Sequence, residues 1–143
     1  MAAMVSTDER AATYDDAQLL LRLYELRREE KMRTARSWFM KNFRAGTLEQ
    51  FQDLCPLGSE ENGYYRMVVS YWEMAASFVA MGVLHHELFA QNCRELVLVW
   101  ERIRDIVPAV REDFKNENLA RNLETVANTM IADRLPESAF GIG

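Results

Sequence analysis

Among the residues able to do chemistry, Glu73 stands in the least ordinary surroundings, following Tyr71 and Trp72 in a segment, Tyr64 to Met81, that is apolar around most of a helical circumference. A carboxylate in such a place loses part of its hydration and needs a partner. It has the makings of a catalytic acid or a metal ligand. The preferred reading is structural: Glu73 is partly buried against a donor such as Arg66 or Arg111 and holds helices in register. With Tyr71, these residues form the set of buried polar candidates.

The other reactive side chains assemble less. His85 and His86 are adjacent, so their rings diverge along a helix start, and capping or plain exposure is expected of them. A carboxylate-bridged dimetal bundle needs Glu followed three residues later by His on two helices, and the chain has no such pair. Cys55 and Cys93 lie far apart, without zinc-ligand spacing or a histidine placed to activate either, and read as two buried reduced thiols. The six glycines sit singly at helix ends, turns and tails, so no phosphate-cradling loop is present. No catalytic residue, metal or cofactor is assigned on this basis.

The elements that must position these residues are helical. Within residues 64–81, Tyr65, Val68, Val69, Trp72, Ala76 and Val79 share one face, while Tyr64, Tyr71, Met74, Phe78 and Met81 share another. Arg66, Ser70, Glu73 and Ser77 form a narrow polar stripe between them. Such a helix needs neighbours on most sides and ends at Gly82. With 143 residues, 49% hydrophobic, eight Met and only three Pro, the chain suits one domain rich in helix. It has no run of about 18 uncharged apolar residues and no signal-peptide start, so a cytoplasmic protein without a membrane segment is expected.

In chain order, residues 1–14 read as a disordered tail, 15–135 as a single helical-bundle domain and 136–143 as a loose C-terminal tail. Asp15 or Asp16 caps a first helix reaching Arg44 and closed by Gly46. Five consecutive charges, Arg27 to Lys31, leave no apolar face at that level. The portion 15–31 is therefore expected to project as an arm, while Met32, Ala35, Trp38, Phe39 and Phe43 pack on the core. Leu19, Leu20, Leu23, Tyr24 and Leu26 then make an exposed contact patch.

Thr47 and Gln50 fit a capping box opening a short helix over 48–55, with Leu48, Phe51 and Leu54 inward, and Asn62-Gly63 suggests a tight turn before the central helix. Phe89, Cys93, Leu96, Trp100, Ile103 and Val107 recur at alternating spacings of four and three, predicting one regular helix that Pro108 ends or kinks. A last helix, opened by Asn116 or Asn118, carries Leu119, Leu123, Val126 and Met130 and stops at Pro136. The fold expected is all-α: an up-and-down bundle of about four main helices plus a short one, with a long projecting first helix.

From about Trp38 to Arg134 the chain resembles a family of small all-helical bacterial proteins catalogued only as a domain of unknown function. The resemblance is carried by Tyr71-Trp72-Glu73, Gly82-Val83-Leu84, Leu88-Phe89, Trp100-Glu101, Ile106-Val107 and Arg111. It implies a fold and is silent on chemistry.

The charge is uneven. Residues 22–44 hold eight Lys or Arg against three Glu in a chain of net charge −5. Arg22, Arg27, Arg28, Lys31, Arg33, Arg36, Lys41 and Arg44 on one helix suggest a nucleic-acid surface, but the interleaved glutamates neutralise much of it, and that reading ranks third. The first is a non-enzymatic interaction module, with a homodimer or a protein partner meeting the arm. The second is a small-molecule-binding or catalytic bundle centred on Glu73, Tyr71 and Arg111.

Overall fold

The central helix begins where the Ser59 hydroxyl accepts the Asn62 amide at 3.1 Å, an N-cap that starts the helix before Tyr64. The computed structural model describes residues 10–140, with side chains as far as Arg134, and among these residues it is helical without strands. In order, the helices are α1 (Tyr14–Arg27), α2 (Glu30–Asn42), α3 (Leu48–Leu54), α4 (Glu60–Ala80), α5 (His86–Asn92), α6 (Glu95–Ile103), α7 (Val107–Asp113) and α8 (Arg121–Phe140).

Because the Asn62 side chain donates to Cys55 O at 3.0 Å, Asn62-Gly63 lies in the first turn of α4 rather than in a tight turn before it. At the other end, Gly82 adopts φ +79°, and the amides of Gly82 and Val83 return to Val79 O and Phe78 O. That is a Schellman ending, which glycine adopts without steric cost.

α4 packs chiefly on α2 and α8, α6 packs on α8, and α1 touches α2 and α5. Trp72 is 0% exposed, and Tyr65, Val68, Val69, Ala76 and Val79 are buried with it. The second face is covered less than its sequence suggests: Tyr71 is buried, but Met74 and Met81 are exposed. Where α2, α3 and α4 meet, Phe43 stacks on Phe39 at 4.8 Å and on Tyr65 at 5.4 Å, with Phe51 against Tyr65 at 4.7 Å. Offset aromatic contacts of this kind add to the area they bury.

The first helix departs from the expectation: it neither runs unbroken to Arg44 nor projects. Arg28 closes α1, and Glu29 takes an extended backbone and accepts the Met32 amide at 3.0 Å through its own carboxylate. The charged run thus supplies a cap and a bend where a solvated helical turn was expected. α1 then lies back on the bundle, tied by the Tyr71 hydroxyl donating to Leu23 O and by the Asp16 carboxylate accepting the His85 amide at 2.9 Å. Its cap is Thr13, with Asp16 as the reciprocal partner of a capping box, so residues 10–13 are part of the structured region. Residues 1–9 and 141–143, within the two expected tails, lie outside the described residues.

Three further boundaries differ. The run from Phe89 to Val107 is divided among α5, α6 and the start of α7, yet all six positions are buried, so the breaks at Cys93 and at Arg104 to Ile106 keep the same side inward. Pro108 sits at the start of α7, where its missing N–H costs nothing. α8 begins at Arg121 rather than at Asn116 or Asn118, and it continues through Pro136 to Phe140; a proline near a helix end removes one hydrogen bond without ending the helix.

Candidate functional site

The start of α8 explains Glu73. Ala120 precedes the helix and has no side-chain acceptor, so the amides of Asn122 and Leu123 lack the cap that a serine or aspartate would give. Glu73 reaches across from α4 instead: its carboxylate accepts Leu123 N–H at 2.9 Å, Asn122 N–H at 3.4 Å and the Asn122 side-chain amide at 2.8 Å. A negative charge at a helix N-terminus is favourable, and here it also fixes α4 against α8.

The four buried polar candidates do not form one constellation. Arg111, expected as a donor to Glu73, instead holds Leu119 O at 2.8 Å and Glu124 at 2.8 Å, bracing the segment between α7 and α8. Tyr71 faces α1, and burial pushes its phenol up to about 12. Arg66 is exposed and, among the described residues, has no ion-pair partner.

Arg66 is nevertheless placed in a distinctive position. A cleft of about 690 Å³ runs along α4 beside Met67, Val69 and Glu73, and a second of about 670 Å³ opens beside Phe51, Leu57 and Phe114. Tyr65, Arg66, Asn116 and Leu119 line both, so the two adjoin along these residues. The outer wall is the segment from Lys115 to Ala120, whose ends adopt φ +53° and +56°. Lys115 occupies the left-handed position of a Schellman ending to α7, with the Asn116 amide returning to Arg111 O at 2.9 Å. Non-glycine residues in this region carry strain, which clusters at functional sites.

The arm residues are divided by burial. Leu23 is 1% exposed and belongs to the core, and Leu19 and Leu20 pack against it. Tyr24 and Leu26 remain 46% and 37% exposed. The basic residues do not form one row either, since the bend at Arg28–Glu29 splits them and Arg36 is locked to Glu95 at 2.8 and 2.7 Å.

His85 caps α5: its Nδ1 accepts the Leu88 amide at 3.2 Å, so its Nε2 carries the proton and donates to Arg10 O at 2.9 Å. His86 is buried, with Nε2 3.2 Å from Asp133. Cys55 and Cys93 are free and buried; burial pushes the Cys55 thiol up to about 11 and the Cys93 thiol upward.

One polar cluster was not visible in the sequence. Buried Asp16 accepts from Arg10 at 2.7 and 2.9 Å, from the Thr13 amide at 2.7 Å and hydroxyl at 3.0 Å, and from the His85 amide. The Arg10 guanidinium, opposed by burial and assisted by the other donors, holds this carboxyl well below the usual carboxylate range. Thr13 followed three residues later by Asp16 is a capping signal that marks the helix start, but nothing local marks Arg10 or His85.

Residues 12–130 match a family described as a domain of unknown function (DUF4760). No curated protein and no solved structure matches the chain. Among the described residues, no helix is long and apolar enough to cross a membrane.

Proposed function

Taking as premise that the chain belongs to the DUF4760 family, a domain of unknown function, we propose that it is a non-catalytic binding module taking a small organic anion with an apolar body into the adjoining clefts around Arg66. The observation that carries this reading is the position of Arg66. It is the cation common to two largely apolar clefts, and among the described residues no carboxylate pairs with it. The acid beside it, Glu73, has its oxygens engaged by α8.

A planar guanidinium accepts a carboxylate through two parallel hydrogen bonds, and the walls of Tyr65, Val69 and Leu119 suit an acyl or aryl body. Titration with octanoate, followed by amide NMR, tests the proposal, with octanol as the uncharged control. Octanoate is expected to shift the signals of Arg66, Asn116 and Leu119, and Arg66→Met to weaken it about tenfold, roughly 1.4 kcal/mol, at unchanged melting temperature. Equal binding of octanoate by the variant, or no shift at those residues, overturns it.

A second reading, a cytoplasmic homodimer formed through the outward face of α1, is favoured by the exposure of Leu21 and Tyr24, one turn apart on that face, and its setting by two buried free thiols. Light scattering over a dilution series tests it: Leu21→Ser with Tyr24→Ser would dissociate a dimer, and a mass unchanged by the double substitution would overturn it.

A further inference from the structure

We propose that the cleft at the α1–α2 bend is a second binding site, separate from the one around Arg66, and that it takes a phosphate dianion between Arg27 and Arg28. This cleft, about 410 Å³, is formed where the end of α1 meets α2, α4 and the α5–α6 kink. Its charge is unbalanced. Three guanidinium groups, of Arg27, Arg28 and Arg36, face one carboxylate, that of Glu95, and Glu95 is spent on Arg36.

Arg36 is further committed to the last turn of α1, donating to Arg27 O at 3.2 Å. Arg27 and Arg28 are left with two positive charges between them, and among the described residues neither has an ion-pair partner. Both lie over the Tyr24 ring, with guanidinium carbons 5.6 and 5.4 Å from its centroid, so like charges share one small region. Arg27 also lies 5.2 Å from the Trp72 ring centroid and donates to Cys93 Sγ at 3.7 Å, a weak acceptor. Burial keeps the neighbouring Cys93 thiol and Tyr71 phenol neutral, so neither supplies a counter-charge.

A second deficit lies in the wall of the same cleft. Trp72 lines it, and the indole Nε1–H is buried with no acceptor among the described residues. Trp72 is fully buried beneath the Arg27 guanidinium, so its indole signal reports a change in the charge held there without touching the anion. Two unneutralised guanidinium forks match a doubly charged, multiply accepting ligand better than a carboxylate, which would leave one charge over.

Calorimetric titration of the full chain with inorganic phosphate and with glycerol phosphate, at constant ionic strength set by chloride, tests the site and separates a free ion from a monoester. Binding of either is expected to shift the Trp72 indole signal in NMR spectra. Arg28→Gln, a change at an exposed side chain, is expected to weaken it about tenfold, while Arg66→Met leaves it unchanged. Glycerol phosphate affinity is expected to fall as pH drops below about 6, where the dianion takes up a proton. Unchanged affinity in Arg28→Gln, a stationary Trp72 indole signal in the wild type, or heat no greater than that of chloride overturns the assignment. The indole readout uses the unaltered protein, so it decides even if a variant fails to fold.

Discussion

Asp16 holds the first helix against the bundle, and Asp16→Asn tests that role quantitatively. The substitution keeps one acceptor oxygen but removes the charge that receives Arg10, the Thr13 amide and the His85 amide. A charge-assisted bond to a buried amide contributes about 1.5–3 kcal/mol and the cap about 1 kcal/mol. Arg10 is 37% exposed, so solvent screening keeps the ion pair at about 0–1 kcal/mol. Because asparagine retains part of the cap, a loss of roughly 3 kcal/mol at pH 7 is expected in urea unfolding.

The pH dependence is the sharper test. The folded carboxyl titrates below its unfolded value of about 3.9, so its contribution is complete above that value and is lost as pH falls towards the folded pKa. At pH 3 the unfolded chain has taken up most of a proton that the native state has not, which removes about 1.3 kcal/mol. The gap between wild type and Asp16→Asn should therefore narrow by about that amount between pH 7 and pH 3. A gap of constant size would refute the reasoning, because it would mean that Asp16 has the same pKa in both states.

Three other outcomes are expected. Glu73→Gln should cost about 1–2 kcal/mol and speed hydrogen exchange at the amides of Asn122 and Leu123; unchanged exchange there would remove Glu73 as the cap of α8. Tyr71→Phe should cost about 1 kcal/mol in thermal unfolding, since it strips the hydroxyl from Leu23 O, and an unaffected protein would show that this tie contributes nothing. With the Cys55 thiol pushed up to about 11 and Cys93 also raised, neither should react with an aromatic disulfide at pH 8 in the folded state, though both should in urea; rapid labelling without urea would contradict their burial.

The sequence was informative where burial is periodic. Trp72, Val68 and Val79 on α4, and the six positions from Phe89 to Val107, are inside because spacing reports which side of a helix faces its neighbours. Spacing does not report a kink that leaves the same side inward, and so the break at Cys93 went unseen. The charged run at Arg27 to Lys31 suggested a fully solvated turn, but Glu29 uses its carboxylate as a cap and turns the chain back, and Arg27 packs over the Trp72 ring.

At the candidate sites, Glu73 was legible as a register-holding carboxylate but its partners were not. They are backbone amides exposed by the absence of a capping side chain at Ala120, a feature that emerges only when α4 and α8 are side by side. The Asp16–His85 tie joins residues that are remote in the chain. The clefts at Arg66 and at the α1–α2 bend each draw on three or more elements, which no local pattern records.

The Glu73 anchor has a consequence for how such a protein diversifies. The first turn of α8 is fastened directly to the middle of α4, so its starting point does not depend on the length of the connection arriving from α7. Residues gained or lost between Asn116 and Leu119 would redraw one bank of the cleft while the bundle beneath kept its register. A single carboxylate thus holds the framework in place independently of the loop that edges the cleft.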